Sequence, residues 1–197
     1  MDRTAELDQI IAKYDLNQHP FYQEWVAGTL PVAKLQAYAA EYGHFIATIA
    51  DGWDVLGMHD IAEEERWHEK LWSDFRDSIG ARSTCENAET KDLVAKSKAG
   101  SASRDAAIGA LYAFEAQQPH TSASKLKGLN AHYTVSEEGK RYFEIHAEDV
   151  TEPQLLAKLA SELSDEQFLI AKENCDAVCQ AMWTALDGVY KTPVLSA

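Results

Sequence analysis

From Ser164 to Val189 the chain holds a single helical period: Phe168, Ala171, Cys175, Val178, Met182, Leu186 and Val189 recur at intervals of three and four residues. That spacing places them on one face of a helix, and Ser164 with Gln167 three residues on supplies a capping-box start. The same period runs through the rest of the chain. Residues 4–14 put Leu7, Ile10, Ile11 and Tyr14 on one stripe, and "HPFYQEWVAGTLP" predicts a short helix punctuated at its exit by Gly28 and Pro31. Residues 32–58 contain no proline and predict one long buried helix, with Gly43, Gly52 and Gly57 leaving room for a bend. Further helices are expected over 60–79 and near 88–98, 102–118 and 120–130, with "GARSTCENAET" a loop. Strand signals are almost absent: there is no alternating Val/Ile/Thr run and no Asn-Gly turn. Helices with one apolar face must bury it on one another, so the expectation is an all-α bundle forming a single domain over 1–197, long enough for one full core.

The formal charge of −14 repels phosphate backbones and anionic lipid, so neither nucleic acid nor a membrane is expected as a partner. No apolar stretch approaches the roughly 20 residues that span a bilayer. The first residues lack a basic start followed by an apolar run, so no signal peptide is expected. Cys85, Cys175 and Cys179 make no disulfide framework; the last two, four apart, read as small core residues. A reducing compartment, the cytoplasm, is the expectation.

Against this background Glu115 is an anomaly. It sits in "GALYAFEAQQPH", where the other six residues from Ala110 to Ala116 are apolar or aromatic. An ionised carboxylate in a low-dielectric interior costs several kcal/mol unless it is paired, hydrogen-bonded or metal-bound. Two other segments carry matching chemistry. In "IAEEERWHEKLWSDF", His68 follows Glu65 by three and Glu64 by four; in "YFEIHAEDVTEP", Asp149 and Glu152 follow His146 by three and six. Either segment alone is also what a solvated helix face produces. Their coincidence with Glu115 on three helices is what points to a di-iron or di-manganese site, built as helical bundles build them. Oxygen ligands with a minority of imidazoles suit iron or manganese better than zinc.

"HPFYQEWVAGTLP" followed by "LQAYAAEYGHF", then "LYAFEAQQP", "SKLKGL", "YFEIHAEDV" and "MWTALDGVY" in that order, resemble the TenA/PqqC/CADD superfamily, whose members share the heme-oxygenase-like all-α fold. The likeness spans nearly the whole chain and is strongest to the CADD-like di-metal oxidases. That resemblance implies two Fe or Fe/Mn ions, O2 as co-substrate, and dimerisation. It matches His68, Glu115 and His146 to metal ligands, with Asp149 beside them. Two positions depart from the CADD-like pattern. Its first glutamate falls on Ile61 here, so Glu65 takes that role, as in a fatty-acid decarboxylase of the same superfamily, with Glu64 the alternative. The last ligand run is one residue short, and Glu152 and Pro153 stand where a histidine is expected. Pro153 should push Glu152 out of the α region and break the helix just after Asp149, leaving the second ion weakly held unless Glu152 replaces the histidine.

CADD-like proteins implicated in 4-aminobenzoate synthesis consume one of their own tyrosines with the help of a lysine; Tyr22 and Lys125 match those positions. A core aromatic and a surface lysine are the structural alternatives. The substrate, either a small molecule or Tyr22 itself, would sit in a pocket lined by Tyr38, Tyr42, His44 and Tyr112. Two rivals stand beside this oxidase reading. One is a metal-free TenA- or PqqC-like enzyme, the other a degenerate binding or protein-interaction module on the same fold.

Overall fold

The computed structural model describes residues 2–192. Among these there is no strand, and the helices run in the order α1 (Arg3–Lys13), α2 (Pro20–Ala27), α3 (Val32–Ile46), α4 (Ile49–Val55), α5 (His59–Ser78), α6 (Ala88–Gly100), α7 (Arg104–Glu115), α8 (Gln118–His132), α9 (Glu137–Glu148), α10 (Thr151–Ser161) and α11 (Asp165–Lys191). The ends follow local chemistry. The Ser103, Ser136 and Ser164 hydroxyls accept from backbone N–H groups at the starts of α7, α9 and α11, and Ser164 and Gln167 form the expected capping box. Gly28 closes α2 at φ 72°, a left-handed conformation that glycine adopts without steric penalty.

Helix α7 is the central rod, with every residue from Ala106 to Glu115 buried. Its small residues let α11 approach closely: a Cβ built on Gly109 would lie 1.8 Å from the carbonyl oxygen of Ala171. Helices α1, α4 and α10 pack on other sides of α7. Helix α9 packs between α5 and α8, and α8 in turn holds α2. The core runs through both layers and is rich in aromatics, including Phe21, Tyr22, Trp25, Tyr38, Trp53, Phe75 and Phe143.

Two expectations about helix continuity need correction. The long helix over 32–58 is two helices. Thr48 sits in the break, where its hydroxyl donates to the carbonyl of Phe45 at 2.7 Å and lies 2.7 Å from the Ser97 hydroxyl on α6. The break turns α4 so that Trp53 points inward, fully buried. The predicted interruption near Asp149 is present, since α9 ends at Glu148 and Asp149 has extended ψ of 122°. Glu152, however, is helical: Pro153 falls in the first turn of α10, where its missing N–H would have had no helical partner anyway.

Candidate metal centre

On α5 the buried stripe is Ala62, Glu65, His68, Leu71, Trp72 and Phe75. Helix phase therefore chooses Glu65 over Glu64, which is exposed and does not join the cluster. On α9 the buried stripe includes Tyr142, Phe143 and His146. Packing of α5 on α9 brings the two imidazoles together with ring centres 4.5 Å apart, and one donor atom each from Glu65, His68 and His146 lies within 4.8 Å of the others.

The hydrogen bonds fix how these rings present themselves. His146 Nδ1–H donates to the carbonyl of Tyr142 at 2.7 Å, and His68 Nδ1–H donates to Glu65 Oε1 at 3.2 Å. Both Nε2 atoms are buried without a protein partner. A buried ring nitrogen left unmatched is unfavourable, and two of them in one cluster with a carboxylate fit a divalent metal ion. Burial first, and then the neighbouring His68, push His146 down to about 3, so it is neutral as a ligand must be. Burial also pulls on His68, but the hydrogen bond and charge of Glu65 outweigh it and raise the imidazole. A metal binding there would have to displace that proton.

Glu115 ends α7 at 3% exposure, its Oε1 accepting from the indole Nε1–H of Trp53 at 3.3 Å. Burial foremost, then the charges of Glu65 and Glu152, hold its carboxyl well above the ordinary range. Glu152 is partly buried and pushed up to about 7 by burial and by Asp149 and Glu65. Asp149 goes the other way. Burial raises it, but N–H donation from Thr151 (2.8 Å) and the other groups around it prevail and lower it.

A second buried group lies one aromatic layer away. The Tyr22 hydroxyl is 2.9 Å from that of Tyr38, which stacks on Tyr42 at 4.9 Å. Lys125 is buried, with Nζ 4.8 Å from the ring centre of Tyr22 and 5.9 Å from that of Tyr38. Burial lowers its ammonium to about 7. Tyr38 contacts Trp72 (5.6 Å), Trp72 contacts Tyr142 (5.0 Å), and Tyr142 contacts His146 (4.2 Å), so aromatic rings join the two clusters.

Two residues expected in the pocket lie elsewhere. His44 is only half-buried and faces the Ser83 hydroxyl at 3.3 Å, because it falls on the side of α3 that meets the 80–87 loop. Tyr112 donates its hydroxyl to Asp8 on α1 at 2.7 Å, which turns it from the tyrosine cluster. Sequence reasoning missed Trp53, Tyr142 and Gln118. Tyr142, one turn before His146, had a spacing signal; its hydroxyl accepts from Gln118 Nε2 at 2.8 Å. Nothing in the sequence pointed to Trp53, which the α3–α4 break aims.

The fold resembles a heme-oxygenase-like domain of unknown function from Shewanella denitrificans (TM-score 0.82, 19% identity, covering 97% of this chain and 93% of that one). It also resembles a CADD-like protein of unknown function from Nostoc punctiforme (TM-score 0.59, 17% identity, covering 98% and 97%). In sequence the chain is 31% identical to a 4-aminobenzoate synthase of Chlamydia pneumoniae, covering 93% of this chain and 90% of that protein. Residues 32–187 match a family described as iron-containing redox enzymes. With that match and the Glu65–His68–His146 cluster, the chain belongs to the iron-containing redox enzymes of heme-oxygenase-like fold.

Proposed function

We propose that this oxidoreductase makes 4-aminobenzoate, with the Tyr22 side chain as the carbon source and Lys125 assisting. In this reading two Fe, or Fe and Mn, ions are held by Glu65, His68, Glu115, His146 and Asp149, with O2 as co-substrate. The carbon skeleton of 4-aminobenzoate is a benzene ring plus one carbon, which is what a tyrosine side chain yields when its Cα–Cβ bond breaks. Its nitrogen sits at the ring carbon that carries the hydroxyl in tyrosine.

The observation that carries the reading is the buried amine of Lys125 over the Tyr22 ring. A lysine in water is almost wholly protonated at neutral pH, whereas one held at about 7 has its nucleophilic form in quantity. Tyr38 orients the Tyr22 hydroxyl, and the surrounding Phe21, Trp25 and Phe143 rings keep water out. Iron bound by Glu65, His68 and His146 would supply the O2-dependent oxidation that carbon–carbon cleavage requires. The residues' own part is to hold each Nδ1–H, that of His146 on the Tyr142 carbonyl and that of His68 on Glu65, which leaves both Nε2 atoms for the metal.

Against a metal-free enzyme or a degenerate module stand the two unpartnered Nε2 atoms, which such a protein would bury for no return. A cytoplasmic homodimer is part of the same proposal; free thiols at Cys85, Cys175 and Cys179 accord with a reducing compartment, and among the described residues no helix is long and apolar enough to cross a membrane. The test is complementation of a 4-aminobenzoate auxotroph. Wild type should rescue growth, and Tyr22→Phe and Lys125→Arg should not. Rescue by Tyr22→Phe would remove the tyrosine as precursor and require an external substrate.

A further inference from the structure

Trp53 lies on α4, fully buried, and its indole Nε1–H donates to Glu115 Oε1 at 3.3 Å across the contact between α4 and α7. Among the described residues no other side chain donates to this carboxylate, and no lysine or arginine pairs with it. Other buried indoles are placed differently. Trp72 donates to the backbone carbonyl of Ala39 at 3.0 Å, and Trp25 keeps its N–H buried without a partner. Satisfying an indole therefore does not by itself require a carboxylate in this fold. Two local features bring Trp53 and Glu115 together. The interruption at Thr48 turns α4 inward. Gly52, next to Trp53, then lets α4 lie close on α7: a Cβ there would meet Leu111 Cδ2 at 2.9 Å, and Leu111 stands one turn before Glu115.

We propose that Trp53 is a positioning residue of the metal centre, its N–H holding Oε1 of Glu115 and leaving Oε2 for an ion. The inference rests on the metal centre of the proposed function and adds to it the group that orients the ligand on the central rod. The type of donor matters. A lysine or arginine in this place would neutralise the carboxylate and compete with a cation for it. A neutral indole N–H orients the carboxylate and leaves its charge to the metal. A ligand held beforehand also gives up less rotational freedom when the ion binds.

The test removes the N–H without removing the ring. Full-length protein carrying β-(benzothien-3-yl)alanine at position 53, in which sulfur replaces the indole nitrogen, is compared with wild type, Trp53→Phe and Trp183→Phe. Each is titrated anaerobically with Mn(II), read from the electron paramagnetic resonance signal of the free ion, with circular dichroism and a thermal melt alongside. The sulfur isostere should keep the wild-type fold and bind Mn(II) about 10-fold more weakly, the lower end of what losing a group that orients a ligand costs. Trp53→Phe should bind at least as weakly. Trp183→Phe, which alters an indole on α11 packed against His19, should keep wild-type affinity. Wild-type affinity in the isostere protein, or an equal loss in Trp183→Phe, would overturn the proposal and return Trp53 to core filling while leaving the metal centre standing. If Trp53→Phe does not fold, the isostere decides alone. Absence of Mn(II) binding in wild type is a different failure, since it removes the metal centre itself and this proposal with it.

Discussion

At the scale of single residues, the chain spends stability on groups it keeps in uncomfortable places. Lys125 is the clearest. With its folded value near 7 and its ordinary value at 10.5, the unfolded chain binds the proton more tightly between those limits, so the penalty is full at and below pH 7 and fades toward 10.5. Lys125→Met should therefore raise stability by roughly 2–4 kcal/mol at pH 7, taking about 1.4 kcal/mol per unit and allowing for relaxation, and by little near pH 10.5. Denaturant unfolding at both pH values checks this. Activity should rise with pH through about 7 as the amine loses its proton, and Lys125→Arg should be inactive throughout. Glu152 has the opposite sign. Its carboxyl is raised, so the stability of the protonated form is present below 4.5 and lost as pH rises through about 7. In metal-free protein the melting temperature of Glu152→Gln should exceed that of wild type by a margin that widens over that window. Glu115 could be read from the sequence because a carboxylate in an apolar run needs a reason. The choice between Glu64 and Glu65 could not, since both spacings to His68 suit a helix until neighbouring buried residues fix its phase.

At the scale of elements, periodicity located the helices but not their interruptions. The split of α3 from α4 depends on Thr48 finding both the Phe45 carbonyl and Ser97 on a distant helix, a long-range match that no local pattern records. The restart at α10 was half legible. Pro153 announced a break, but the tolerance of proline in a first turn decided where Glu152 went. The α7–α11 contact gives a direct test. Gly109→Ala places a Cβ against the Ala171 backbone, and the helices must part. A loss of about 1–3 kcal/mol is expected in denaturant titration, as for other overpacked cores. Because Glu115 lies on the same helix, Mn(II) affinity should fall too; unchanged affinity would show that α7 yields without moving its last residue.

At the scale of the whole molecule, the all-helical class followed from the absence of strand signals, and the order of matching segments carried the fold. Which helix lies against which was not readable from amphipathic stripes, which say that a face is buried and not what buries it. That is why Tyr112 and His44 were expected at the tyrosine cluster: both lie on core-forming helices but face α1 and the 80–87 loop. Glu115→Ala tests the assembled centre, since removing a carboxylate at the end of the central rod should abolish metal binding by elemental analysis. The burial of Tyr22 has a further meaning. Its ring is wedged among Phe21, Trp25 and Tyr38 with almost no exposure. Excising a large side chain from such a setting weakens a fold by about 3–5 kcal/mol. If that ring is the raw material, each molecule can serve once and leaves behind a softened husk prone to proteolysis. Output would then track ribosomal supply of fresh chains, as for a reagent, more than any turnover number.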